Sequence, residues 1–242
     1  MRRKIKLSAL APLVALGLPL WFAGPAKADL ITFNLDTFNT AGFTAPYVKV
    51  DVTRSDSTHA TVTFTSLASD GDIFLMGGVN AVALNVNATS WTLGSVTGTN
   101  AGTGFTPGGY TNDGSRNVDG WGIFNQTIKS FDGFTHSADK IIVALTDISG
   151  TWSTATDVLT SNGSGGYLAA AHLFVTTNPA NKANGAIVTG FATGSGTANR
   201  CLNGATNFPI CTNFEIPEPS SMLIFSGGLL GLATVLRRRR GA

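Results

Sequence analysis

Charge is scarce along this 242-residue chain, with Asp, Glu, Lys and Arg together making up 12% of it. Between Asp29 and Ile216 the only glutamate is Glu215. Amphipathic surface helices draw on Glu, Lys, Arg, Leu and Gln, so this shortage argues against a helical body. The abundant Gly, Thr, Ser and Asn favour strands joined by turns. Cysteine is nearly absent, with Cys201 and Cys211 alone. Two cysteines without neighbouring histidines make a poor zinc site, and their spacing is not the Cys-x-x-Cys of redox motifs. The three histidines, His59, His136 and His172, stand far apart, with no His-x-x-x-His pair and no Gly-x-Ser-x-Gly elbow. No repeat of fixed period is present, which argues against a solenoid or propeller.

Long apolar runs are confined to the two ends. Arg2, Arg3, Lys4 and Lys6 precede the apolar stretch Leu7 to Phe22, and Ala26-Lys27-Ala28 is the small-x-small pattern after which signal peptidase cuts. Residues 1–28 therefore read as a signal peptide for the secretion machinery, cut between Ala28 and Asp29. At the other end Pro217, Glu218 and Pro219 precede two serines and an uncharged apolar stretch from Met222 to Leu236. Arg237, Arg238, Arg239 and Arg240 follow it. Basic flanks of membrane segments stay cytoplasmic, so the tail leaves these arginines inside and everything before Pro217 outside. As a helix, residues 222–236 span about 22 Å, less than the ~30 Å hydrocarbon core. Ser220, Ser221 and the arginine stems make up the difference by snorkelling. Gly227 and Gly231 form a small-xxx-small pair that reads equally as tolerated glycine or as a docking face for another helix.

This ordered tail resembles the PEP-CTERM sorting signal, in which a Pro-Glu-Pro motif precedes a short membrane helix and a basic terminus. The resemblance covers residues 217–242, with the helix at 222–236 and the basic tail at 237–240. It implies an exosortase as partner, a membrane-embedded cysteine enzyme of bacteria that usually produce exopolysaccharide. It also implies removal of the tail near Pro217, Glu218 and Pro219, so that the membrane anchor is transient. A permanent anchor is the competing reading of the same residues.

Setting both ends aside reverses the electrostatics. They hold nine of the sixteen basic residues and one of the fourteen acidic ones, which leaves residues 29–216 with seven against thirteen and a formal charge of −6. Phosphate contacts need clustered Lys or Arg, and Lys49, Arg54 and Arg116 are scattered, so no nucleic-acid partner is expected. The body is long enough for one core.

Periodicity identifies its strands. Val48, Val50 and Val52 alternate with polar residues; after a turn through Ser55, Asp56 and Ser57, Val62 and Phe64 alternate with threonines. This reads as a hairpin with one face in a core and one in water. Further strands are expected at Ile31–Leu35, Ala81–Val86, Trp91–Val96, Lys140–Thr146, Leu168–Thr176 and Ala186–Phe191, with a helical turn as the alternative for Leu168–Thr176. Gly98 to Gly120, rich in Gly and poor in apolar residues, reads as a long surface loop. The fold class is all-β, an antiparallel β-sandwich with the jelly roll in view.

Candidate chemistry in the body is sparse. Asp113, Ser115, Asn117 and Asp119, followed by Gly120, offer alternating oxygen ligands in the outline of a calcium loop. No bidentate glutamate follows, and Arg116 places a cation inside the run, so an ordinary Asx turn is the better reading; Asp70-Gly71-Asp72 has the same ambiguity. No metal site, cofactor or catalytic residue is assigned. A glycosidase carboxylate pair would leave no mark in sequence spacing. Trp91, Trp121, Trp152, Tyr110 and Tyr167 lie near polar, glycine-rich segments and read either as core or as a sugar-stacking platform. The leading expectation is an exported, noncatalytic surface or extracellular-matrix protein associated with exopolysaccharide. The alternative is a secreted carbohydrate-binding module or polysaccharide-acting enzyme on the same route.

Export places Cys201 and Cys211 in an oxidising compartment, where a disulfide between them would stabilise a short loop by roughly 2 to 3 kcal/mol. Thiol labelling of the secreted protein without reductant is expected to modify neither cysteine, and modification of both would remove the disulfide.

Overall fold

Alternation of valine with polar residues builds the first strands, because neighbouring side chains on a strand point to opposite faces. The computed structural model describes residues 29–131 and 133–195. In chain order the strands are β1 (Asp29–Leu35), β2 (Thr37–Phe38), β3 (Val48–Arg54), β4 (His59–Ser66), β5 (Ala68–Ser69), β6 (Asp72–Met76) and β7 (Val82–Leu84). There follow β8 (Trp91–Thr99), β9 (Thr111–Val118), β10 (Gly122–Lys129), β11 (Lys140–Asp147), β12 (Ala169–Thr177) and β13 (Val188–Gly194). Three short 3-10 turns, at Phe134–His136, Ala155–Asp157 and Lys182–Asn184, supply the helical residues of the described part.

The strands form two antiparallel sheets. The first has five strands in the order β1-β3-β4-β11-β8; the second has eight, with β2-β13-β12-β7-β10-β9 as its path and β5 and β6 joined to it through β12. The expected hairpin is β3 with β4, in register from Val48 opposite Ser66 to Arg54 opposite Ala60. One core lies between the sheets. Ile31, Phe33 and Leu35, Val48, Val50 and Val52, Val62 and Phe64, and Ile141, Val143 and Leu145 enter it from the first sheet. Phe74, Met76, Val82, Leu84, Ile128, Ala169, Ala171, Leu173 and Val175 enter it from the second. Trp152 seals one end, fully buried, with its indole N–H donating to Asn87 O at 2.8 Å.

The chain passes between the sheets several times, first directly after β1. β1 belongs to the first sheet; after Asp36, whose N–H donates to Thr193 O at 3.1 Å, β2 pairs with β13 of the second. The crossing brings Asn34 so close to Gly194 that a Cβ there would collide with the Asn34 carbonyl.

Two sequence expectations are corrected. Gly98 to Gly120 is not one loop: β8 runs to Thr99, and Thr111–Val118 is the edge strand β9. Its side chains are exposed except at Asp113 and Val118, so no apolar alternation marked it. Leu168–Thr176 forms a strand as expected, β12, while β6 and β10 lie where no strand was expected. No helix of the described residues is long and apolar enough to cross a membrane, and the expected helix at 222–236 lies outside them.

Phe64 is fully buried, paired to Val50 on one side and Ile141 on the other. Phe64→Ala is expected to cost about 3–5 kcal/mol in urea denaturation, whereas Thr63→Ala on the opposite face should stay within about 0.5 kcal/mol. Equal effects would mean that this face is not the core.

Candidate functional sites at the termini and on the second sheet

The expected sorting motif Pro217, Glu218 and Pro219, the basic tail Arg237, Arg238, Arg239 and Arg240, the expected disulfide partners Cys201 and Cys211, and Ala28 of the expected signal-peptidase cut all lie outside the described part. Asp29, on the other side of the expected signal-peptidase cut, is the first residue of β1 and pairs with Arg54. Its carboxylate accepts the Ala155 N–H at 2.6 Å and lies 4.0 Å from the Arg54 guanidinium.

The histidines do not converge. His59 meets Asp56 at 2.9 Å on the surface. The Thr58 and His59 N–H groups and the His59 ring hold the Asp56 carboxyl well below the usual carboxylate range. His136 meets the edge of Phe131. His172 stacks on Phe191 with ring centroids 4.5 Å apart, and its Nε2 meets Thr189 Oγ1 at 2.9 Å. Burial pushes its pKa below the ordinary histidine value. Among the described residues no three His, Cys, Asp or Glu side chains cluster as metal ligands would.

The run from Asn112 to Gly120 lies mostly in β9, where alternate residues on one face are about 7 Å apart and cannot wrap a single ion. Asp113 instead meets Arg116 at 3.1 Å and Lys129 at 3.8 Å. Asp70 and Gly71 form the left-handed turn between β5 and β6, with φ of 54° and 88°.

The five aromatic candidates divide. Trp152 is core. Trp91 packs against the core and donates its indole N–H to Gln126 Oε1 at 3.1 Å. Tyr110 lies over Gly98, where a Cβ would strike its hydroxyl. Burial, helped by the charge of Asp139, pushes the Tyr110 phenol up to about 12.

Trp121 and Tyr167 sit elsewhere, on the outer face of the second sheet. Their rings meet edge to face at 5.4 Å, and the Trp121 indole donates to Phe191 O at 3.0 Å. A row of rings continues from there. Phe191 stacks on His172, His172 meets Phe174 at 4.8 Å, Phe174 meets Phe134 at 6.0 Å, and Phe134 meets Phe105 at 5.1 Å. Beneath it Ala83, Val118, Phe124 and Ala170 form a second buried cluster, separate from the main core. Sequence reasoning missed Phe191, Phe174, Phe134 and Phe105. The available signal was the nearly continuous apolar run Leu168 to Val175, interrupted only by His172, since a strand covered on both faces loses its alternation.

An open concavity of about 500 Å³ adjoins this row, lined by Val79, Asn80, Asp113, Arg116, Asn117 and Lys129. An interruption between β6 and β7 makes one wall. The Gly77 N–H donates to His172 O and the His172 N–H to Asn80 O, so residues 78 and 79 loop out beside the histidine. Gly78 and Asn80 there take φ of 74° and 55°. β9 and β10 make the other wall; β9 bends at Gly114, with φ of 63°, and Arg116 folds back onto Asp113. A second concavity of about 510 Å³ includes Asn87, Thr89, Asp147 and Ser149 in its lining. Its carboxylate is occupied locally, because Asp147 Oδ1 accepts the Ser149 and Gly150 N–H groups.

Residues 215–240 match the family model of the PEP-CTERM protein-sorting motif. No curated protein and no solved structure matches the chain. The chain thus carries a PEP-CTERM sorting motif at its C-terminal end, and the described body stands without a matched relative.

The Tyr110 phenol supplies a solution test of this packing. The unfolded chain releases that proton from about pH 10, while the folded protein keeps it to about pH 12. Between those values the unfolded state binds fewer protons, so stability falls as pH rises. Absorbance titration is expected to show a tyrosine that ionises only near pH 12 and disappears in Tyr110→Phe, together with part of that fall. An unchanged titration in the variant would contradict the burial.

Proposed function

We propose that the chain is an exported, noncatalytic surface or extracellular-matrix protein, sorted and cleaved by an exosortase and associated with exopolysaccharide. The observation that carries this reading is the match of residues 215–240 to the PEP-CTERM motif, together with the leader at residues 1–28. In this account signal peptidase cuts after Ala28, and Asp29 enters the edge strand β1 directly. Residues 222–236 then hold the folded body at the inner membrane, with Arg237 to Arg240 on the cytoplasmic side, until cleavage near Pro217 to Pro219 releases it to the surface or medium. A disulfide between Cys201 and Cys211 would tie off the segment between sandwich and sorting motif.

A second reading, a carbohydrate-binding module on the same route, is favoured by the aromatic row on the outer face of the second sheet. Both readings share the sorting step, which intact mass tests. Protein recovered from the host is expected to begin at Asp29 and end near Pro217 to Pro219, and in a strain lacking the exosortase to run through Ala242 in the membrane fraction. A mass through Ala242 in both strains would make the tail a permanent anchor.

A further inference from the structure

We propose that the concavity bounded by Val79, Asn80, Asp113, Arg116, Asn117 and Lys129 binds a carboxylate-bearing sugar residue of an acidic oligosaccharide. The inference rests on the carbohydrate-binding reading and is independent of the sorting route. Charge is its first support. Residues 29–216 carry a formal charge of −6 and only seven basic side chains, yet Arg116 and Lys129 converge on this one hollow. Against them stands the single carboxylate Asp113, whose Oδ1 faces both at 3.1 and 3.8 Å. The site therefore has a surplus of one positive charge, which matches a carboxylate better than a phosphate of charge near −2. Arg116 and Lys129 are about half exposed at 57% and 46%, so both can turn toward a ligand. A guanidinium fork takes a carboxylate in two parallel hydrogen bonds.

The remaining lining suits a pyranose ring. Asn80 is held by its Nδ2, which donates to Asn117 O at 3.1 Å, while its buried Oδ1 has no partner among the described residues. Val79, 61% exposed, offers aliphatic surface for the C–H face of a sugar. Arg116 is opposite Phe124 of the outer-face cluster in the β9–β10 pair, and the Val79–Asn80 wall adjoins His172. The hollow thus opens beside the ring row, along which further sugar residues can run. Its volume of about 500 Å³ falls within the range of small-ligand sites, roughly 300–1,000 Å³.

Calorimetric titration of the full-length chain in detergent with trigalacturonate, and with its methyl ester, tests the proposal. Expected are saturable binding of the acid, at least tenfold weaker binding of the ester, and weakening as salt is raised. R116Q and K129Q should each lower the affinity severalfold, and K182Q, outside the hollow, should leave it unchanged. Asp113→Asn is the decisive variant: it removes the competing carboxylate, so affinity for the acid should rise. A protein that needed Asp113 only to hold the loop would lose affinity instead. No binding of trigalacturonate, equal binding of acid and ester, or weaker binding in D113N would each overturn the proposal; equal binding would still leave a neutral carbohydrate module.

Discussion

Closure of two apolar sheet faces on one another is the constraint from which the rest of this body follows. The chain has few charges to spend on surface networks, and its ion pairs, such as Lys49 with Asp51 at 2.8 Å, are partly exposed and contribute little. Stability therefore has to come from area removed from water. β1, β3, β4 and β11 supply branched and aromatic side chains to that core, whereas β12 supplies the small Ala169 and Ala171. The chain crosses between the sheets repeatedly; the first crossing leaves β1 at Asp36, joins β13 as β2 and requires glycine at position 194.

The second sheet differs from the first in having its outer face partly covered as well. In the first sheet the outward positions of β3 and β4 are Lys49, Asp51, Thr61 and Thr63, an ordinary solvated face. In the second, the outward positions of β12 and β13 include His172, Phe174 and Phe191, covered in part by Trp121 and Phe134 from neighbouring segments. This row is not part of the main core. The hollow beside it arises from two backbone irregularities, the break between β6 and β7 and the bend of β9 at Gly114.

These differences explain what could be read in the sequence. The β3–β4 hairpin was legible because one of its faces is core and the other water, so Val48 to Val52 and Val62 to Phe64 alternate cleanly. β9 was not, because an edge strand needs only backbone pairing and nearly all its side chains are in water. β6 and β10 were hidden for the opposite reason: Phe74, Leu75 and Met76 are all buried, as are Gln126, Thr127 and Ile128, so neither alternates. The terminal address was the most legible part, since it is written in residue order alone, and residues 215–240 match the sorting motif. The hollow was illegible: Asn80, Asp113 and Lys129 are distant in sequence and meet only through the bulged loop and the β9–β10 pair.

The central claim is that the C-terminal segment is a separable address attached to a sandwich with its own surface chemistry. It is tested most directly by fusing residues 215–242 to an unrelated exported reporter in the host and following the reporter's size and location. Release of a shortened reporter from the membrane, abolished by Pro217→Ala with Pro219→Ala, is what the account predicts. Retention of the full-length fusion, under conditions where the native protein is released, would show that sorting depends on the sandwich and would contradict it.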